Sequence, residues 1–169
     1  MTISGQISNF NGAGTAGTLS HGGSGTLTLT NTNTYSGGTL LSGGTTVVTQ
    51  NGGLGTGNVS LTAASVTLTL QGASNNYISD TANLSIGFTN DVVNLNFTGS
   101  DTIATLTIAG AQEAPGVYGA VGSGAQFERP ELSGTGTLTV LTQIPEPATY
   151  MLMGLGVLIC AQQFRRKRS

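Results

Sequence analysis

Leucine, isoleucine and valine alternate with threonine and asparagine in eight short runs. They are GTLTLTN at 25–31, TTVVTQ at 45–50, NVSLT at 58–62, SVTLTLQ at 65–71, NLSIGF at 83–88, VVNLNFT at 92–98, TIATLTIA at 102–109 and GTLTVLT at 136–142. A period of two sends successive side chains to opposite faces of an extended chain. Each run therefore predicts a short strand with one apolar face and one hydroxyl- or amide-bearing face. No comparable helical period appears before residue 148. Between the runs stand SGG at 36–38, SGG at 42–44, NGG at 51–53 and GSG at 122–124, whose glycines allow the positive φ of sharp corners. Many short strands with close glycine corners predict an all-β fold: a sandwich, a barrel or a solenoid of stacked coils.

Composition favours the solenoid. The chain has five Phe, four Tyr and no Trp, whereas a sandwich usually fills its roughly 10 Å layer with larger side chains. Leu, Val and Ile suit a narrow coil, and the same corner and strand vocabulary keeps returning, as in repeat architectures. Within residues 23–62, Asn33, Thr34, Tyr35, Gly37, Gly38 and Thr39 form one corner, and Leu54, Gly55 and Gly57 close the next. With the preceding Leu-Thr-Leu strand, this stretch resembles the autotransporter-associated β-strand repeat. Residues 99–142, with GVYGAVGSGAQF and LSGTGTLTV, are similar to the segment that often ends such proteins. The resemblance implies a right-handed parallel β-helix. One clear repeat is fewer than the roughly three units a stable solenoid usually needs, so the chain is expected to be the C-terminal part of a longer array.

Charge is sparse and uneven. Residues 1–164 carry Arg129 as their one positive side chain against seven carboxylates, a net of −6, and the last five residues restore the whole chain to −2. Nucleic-acid binding needs a basic face to displace counterions from phosphates, and a body without lysine excludes that partner. The single cysteine, Cys160, permits no intrachain disulfide.

The four terminal charges, Arg165, Arg166, Lys167 and Arg168, follow 17 uncharged residues, 148–164. As a helix these would extend about 25 Å, near the lower limit for a bilayer span. Pro147 suits the first helical turn, and the basic cluster marks the cytoplasmic side, placing the body outside it. Pro145, Glu146 and Pro147, then the apolar stretch, then the basic cluster resemble the PEP-CTERM sorting signal. The resemblance implies that an exosortase-type membrane transpeptidase recognises Pro145, Glu146 and Pro147 and removes the helix, with Arg165–Arg168 as the stop-transfer anchor. Exported proteins of this kind begin with a signal peptide. MTISGQISNF has neither a basic start nor an apolar run, so a truncated start is expected.

Candidate chemistry is thin. His21 sits in LSHGGSG with no carboxylate or cysteine nearby in sequence, and Cys160 in the apolar run is packing material. Asp80, Asp91 and Asp101 recur about ten residues apart, a spacing that could serve a polysaccharide-active β-helix enzyme if the carboxylates converged. Turn aspartates beside Asn and Ser are the favoured reading. Alternate threonines could form an ice- or polysaccharide-binding ladder, but uneven strand spacing argues against alignment.

These observations predict a Gly/Ser-rich lead-in at 1–22, a solenoid passenger at 23–142 with its repeat at 23–62, and a sorting segment at 143–169 containing a single transmembrane helix, 148–164. The expected protein is exported, non-enzymatic and structural, without catalytic residues, cofactor or metal. It is anchored in the membrane before sorting, then placed at the cell surface or outside a Gram-negative bacterium, with extracellular polysaccharide as a candidate ligand. A ligand-binding surface module is the alternative, and the polysaccharide-active enzyme comes third.

Overall fold

The computed structural model describes residues 1–9 and 15–141, and these form an all-β, right-handed solenoid of about five turns. One sheet stacks β1 (Thr2–Ile3), β3 (Thr26–Leu29), β5 (Thr45–Val48), β7 (Thr67–Gln71), β9 (Val92–Asn96) and β15 (Leu132–Gly134), all parallel. The facing sheet stacks β2 (Leu19–His21), β4 (Thr39–Leu41), β6 (Val59–Leu61), β8 (Asn83–Ile86) and β11 (Thr105–Ile108) in parallel, then β12 (Ala111–Gln112) antiparallel. Each coil contributes one strand to either sheet.

The inward rows are the apolar half of the sequence alternation. Leu29, Val48, Leu70 and Leu95 stack in register and are fully buried, as are Leu68 and Val93 in the adjacent row. Leu41, Leu61, Ile86 and Ile108 face them from the other sheet. Burying each such side chain contributes roughly 1.5–3 kcal/mol, and the parallel backbone bonds fix which side chains meet.

The outward rows overturn one expectation. Thr26 lies beside Thr45, Thr45 beside Thr67 and Thr67 beside Val92, so successive coils are 19, 22 and 25 residues long. The strands nevertheless align, because the extra residues are taken up in the corners. The next outward row is Thr28, Val47, Thr69 and Asn94. Threonines that end strands do something different: the hydroxyls of Thr49 and Thr62 donate to the Leu29 and Leu41 carbonyls of the preceding coil, at 3.4 and 3.3 Å.

A third sheet covers the C-terminal end, in the order β10 (Ser100–Ile103), β16 (Thr137–Val140), β13 (Gly116–Gly119) and β14 (Phe127–Glu128). Here the run at 102–109 divides in two. Ile103 and Leu106 are both fully buried although three residues apart, and the chain turns a corner between them into a different sheet. β12 is reached through Ala109 and Gly110, with φ of 48° and 83°, a two-residue turn of the kind that matches hairpin twist. The end is pinned by an ion pair between Arg129 and Glu113, with Tyr118 buried beneath the guanidinium and stacked on Phe127 at 4.9 Å.

Residues before 23, expected as a lead-in, supply β1 and β2 and so belong to the first coil. Among the described residues there is no helix. The expected span 148–164, the sorting residues Pro145, Glu146 and Pro147, the cluster Arg165, Arg166, Lys167 and Arg168, and Cys160 all lie outside them.

Candidate functional site

Polar side chains enter the interior at the corners, where a strand ladder cannot satisfy the backbone. Buried Asn33 accepts from the Ile7 amide at 2.7 Å in the coil on one side and donates to the Gly53 carbonyl at 2.7 Å in the coil on the other. Tyr35, fully buried, hydrogen-bonds Thr39 at 2.6 Å, and the Thr39 hydroxyl donates onward to the Leu54 carbonyl at 3.1 Å. Because Thr39 spends its proton on Leu54, the Tyr35 hydroxyl is the donor to Thr39. Burial raises the Tyr35 phenol above its ordinary range, and the Thr39 bond opposes that shift. The residues of the Asn-Thr-Tyr corner are thus the contacts that join one coil to the next. Asn33→Ala is expected to cost about 2 kcal/mol by leaving the Ile7 amide and the Gly53 carbonyl without partners, measured as a lower midpoint in urea denaturation.

The three spaced aspartates do not converge on an open site. Asp91 is fully buried, one oxygen accepting from the Val66 amide at 3.0 Å and the other from the Phe88 amide at 3.0 Å. Asp101 is also fully buried, and one of its oxygens accepts from the Tyr77 and Ile78 amides at 3.1 Å each. Asp91 ties corners of neighbouring coils together, and Asp101 ties a strand of one coil to a corner of another. Burial raises the Asp101 carboxyl to about 7 against the pull of the Ile78, Tyr77 and Thr102 amides, with the Asp80 charge adding to the rise. Asp80 itself is exposed.

Asp80 lines an open groove of about 510 Å³ that crosses the corners of successive coils, together with Thr32, Thr34, Asn51, Thr56 and Asn76. These are hydroxyls and amides with one carboxylate, groups suited to hydrogen bonding. His21, half-buried in the first coil, shares a 2.9 Å hydrogen bond with the buried Thr46 hydroxyl. Among the described residues no group of three or more His, Cys, Asp or Glu could hold a metal ion. Spacing along the chain did not distinguish Asp91 and Asp101, which bind backbone, from Asp80, which faces solvent. The inward phase of Asp101 with Ile103 was the available signal.

The remaining candidate residues, Pro145 to Pro147 and Arg165 to Arg168, follow β16 in the chain. The family model of the PEP-CTERM protein-sorting motif matches residues 143–168. That match begins three residues after β16 ends and covers Pro145, Glu146, Pro147 and the Arg165–Arg168 cluster. It implies export to the cell envelope or surface of a Gram-negative bacterium and a processing partner of the exosortase type. No curated protein and no solved structure matches the chain.

Proposed function

We propose that this chain is a non-enzymatic structural protein of the outer envelope or extracellular matrix. In this reading an exosortase-type transpeptidase recognises Pro145, Glu146 and Pro147, while residues 148–164 span the membrane and Arg165, Arg166, Lys167 and Arg168 stop the tail at its cytoplasmic face. The carrying observation is the sorting-motif match at 143–168, directly after a solenoid with a covered C-terminal end. The non-enzymatic part rests on Asp91 and Asp101 being occupied by backbone amides. The likeness of residues 23–62 to the autotransporter-associated repeat is supported by the role of Asn33, Tyr35 and Thr39 as joints between coils.

A ligand-binding surface is the second reading, favoured by the aligned stack of Thr26, Thr45 and Thr67 and by the polar groove beside Asp80. Extracellular polysaccharide is its candidate ligand. Val47 and Val92 interrupt the hydroxyl rows, which makes this face a poor match to an extended lattice.

The structural reading is tested by replacing Pro145, Glu146 and Pro147 together with alanine in cells that carry the processing enzyme. Peptide mass spectrometry of the C-terminus is expected to find the native chain ended near Pro145–Pro147 and the substituted chain intact to Ser169. A native chain that keeps Ser169 in both membrane and released fractions would overturn the proposal.

A further inference from the structure

The tail leaves the body from a strand that is held on both sides. β16 pairs in parallel with β10 and antiparallel with β13, and its Leu138 and Val140 side chains are buried. The next residue is also tied, the Leu141 amide donating to the Ile103 carbonyl at 3.1 Å. Fraying this segment to lengthen the tail would break pairing with two neighbours and expose core side chains, which fixes the chain through Leu141. Four Cα steps then separate Leu141 from Pro145, and even fully extended they reach about 14 Å.

That reach is short beside the body itself. Two sheets packed face to face lie about 10 Å apart before their outer side chains are counted, so the body is far wider than a single chain. Any enzyme that holds Pro145–Pro147 in its active site must therefore meet the folded body at the point where the tail emerges. The residues there suit close approach. Gly116 is paired with Val140, and the exposed Ala114 and Pro115 precede it. Leu141 is half-exposed. Glu113, next to Ala114, is paired with Arg129, and the guanidinium lies over Tyr118, whose hydroxyl donates to the Ala114 carbonyl at 2.8 Å.

We propose that the tail-exit face formed by Ala114, Pro115 and Leu141 is a contact surface for the outer rim of the membrane-bound processing enzyme, imposed by the short tether. The inference rests on the sorting function proposed above. It predicts that bulk and charge on this face obstruct processing and that a longer tether relieves the obstruction.

The test follows the C-terminus of the full chain in cells that carry the enzyme. Ala114→Glu with Pro115→Glu is expected to slow cleavage by about a hundredfold, the cost of misplacing a reacting group by about 1 Å. Adding a flexible Gly-Ser insertion of about twelve residues after Leu141 to that variant, for a mean reach of about 19 Å, is expected to restore it. Rescue by the insertion also shows that the body had folded. Cleavage of the doubly substituted chain at the native rate, or no rescue, would overturn the proposal while leaving the sorting function intact. A native chain that is never cleaved would overturn both.

Discussion

Gly55→Ala is expected to remove about 3 kcal/mol of stability, a large fraction of the roughly 5–15 kcal/mol that holds a domain of this size together. Two costs add. Gly55 has a φ of 69°, where a side chain brings about 1–2 kcal/mol of backbone strain. A β-carbon there would also lie 2.5 Å from the Tyr35 carbonyl and 2.9 Å from the Tyr35 ring. Neither neighbour can give. The ring is fully buried with its hydroxyl bonded to Thr39, and the carbonyl accepts from the Thr56 amide at 2.9 Å. Overpacking of this kind costs about 1–3 kcal/mol. Gly110→Ala is the matched comparison, since Gly110 has a φ of 83° and open space around its Cα. Urea denaturation of the two variants separates strain from contact. Equal losses would show that Gly55 is needed for its backbone alone and that close approach between coils matters little.

The same contrast explains which parts of the fold could be read from the sequence. The longer strands were legible because four or five alternating residues, such as Thr67–Gln71, satisfy a period of two beyond chance. β4, only Thr39–Leu41, was hidden between two Gly-Gly corners and is too short to show an alternation. β1 was hidden for a related reason: two residues have no period, and only pairing with β3 makes them a strand. Alignment between coils of 19, 22 and 25 residues was misjudged because spacing along the chain measures corners as well as strands. The corner motif was legible as a motif, but its work was not. That Asn33 reaches both neighbouring coils follows from stacking, which no single repeat contains.

The candidate site divides in the same way. Pro145, Glu146 and Pro147 were readable because their meaning lies in order along the chain, and the family match at 143–168 uses that order. Asp80, Asp91 and Asp101 looked equivalent because their distinction lies in burial. With one cation in the body, already paired to Glu113, a buried aspartate has no side-chain counter-charge to recruit and takes backbone amides instead. Such a carboxylate organises a corner, and its protonation becomes part of the stability of the coil.

Asp101→Asn is accordingly expected to stabilise the protein in alkaline solution and to flatten its dependence on pH. Burial sets the folded Asp101 carboxyl at about 7, while an unfolded aspartate titrates near about 3.9. Below about pH 4 the group is protonated in both states and contributes no difference. Between these values the folded state holds a proton that the unfolded state has released. Stability therefore falls as pH rises, by up to about 1.4 kcal/mol per unit, and the loss is complete once pH passes the folded value. The full penalty is of order 4 kcal/mol above neutrality. An asparagine keeps an oxygen to accept from the Tyr77 and Ile78 amides and has no charge to bury. Exposed Glu128 contributes in the opposite sense. The Gly122 and Gly124 amides hold its carboxyl below the ordinary range, so its stabilisation is lost in acid and is common to both proteins. Thermal melts at pH 5.5 and 8.5 decide the matter. The native chain should melt lower at the alkaline value, with Asp101→Asn moderately above it at pH 5.5, where about half of the penalty is already present, and further above it at pH 8.5. Parallel curves for the two proteins would mean that Asp101 is ionised throughout and that the amides of Tyr77, Ile78 and Thr102 suffice to hold its charge inside the coil.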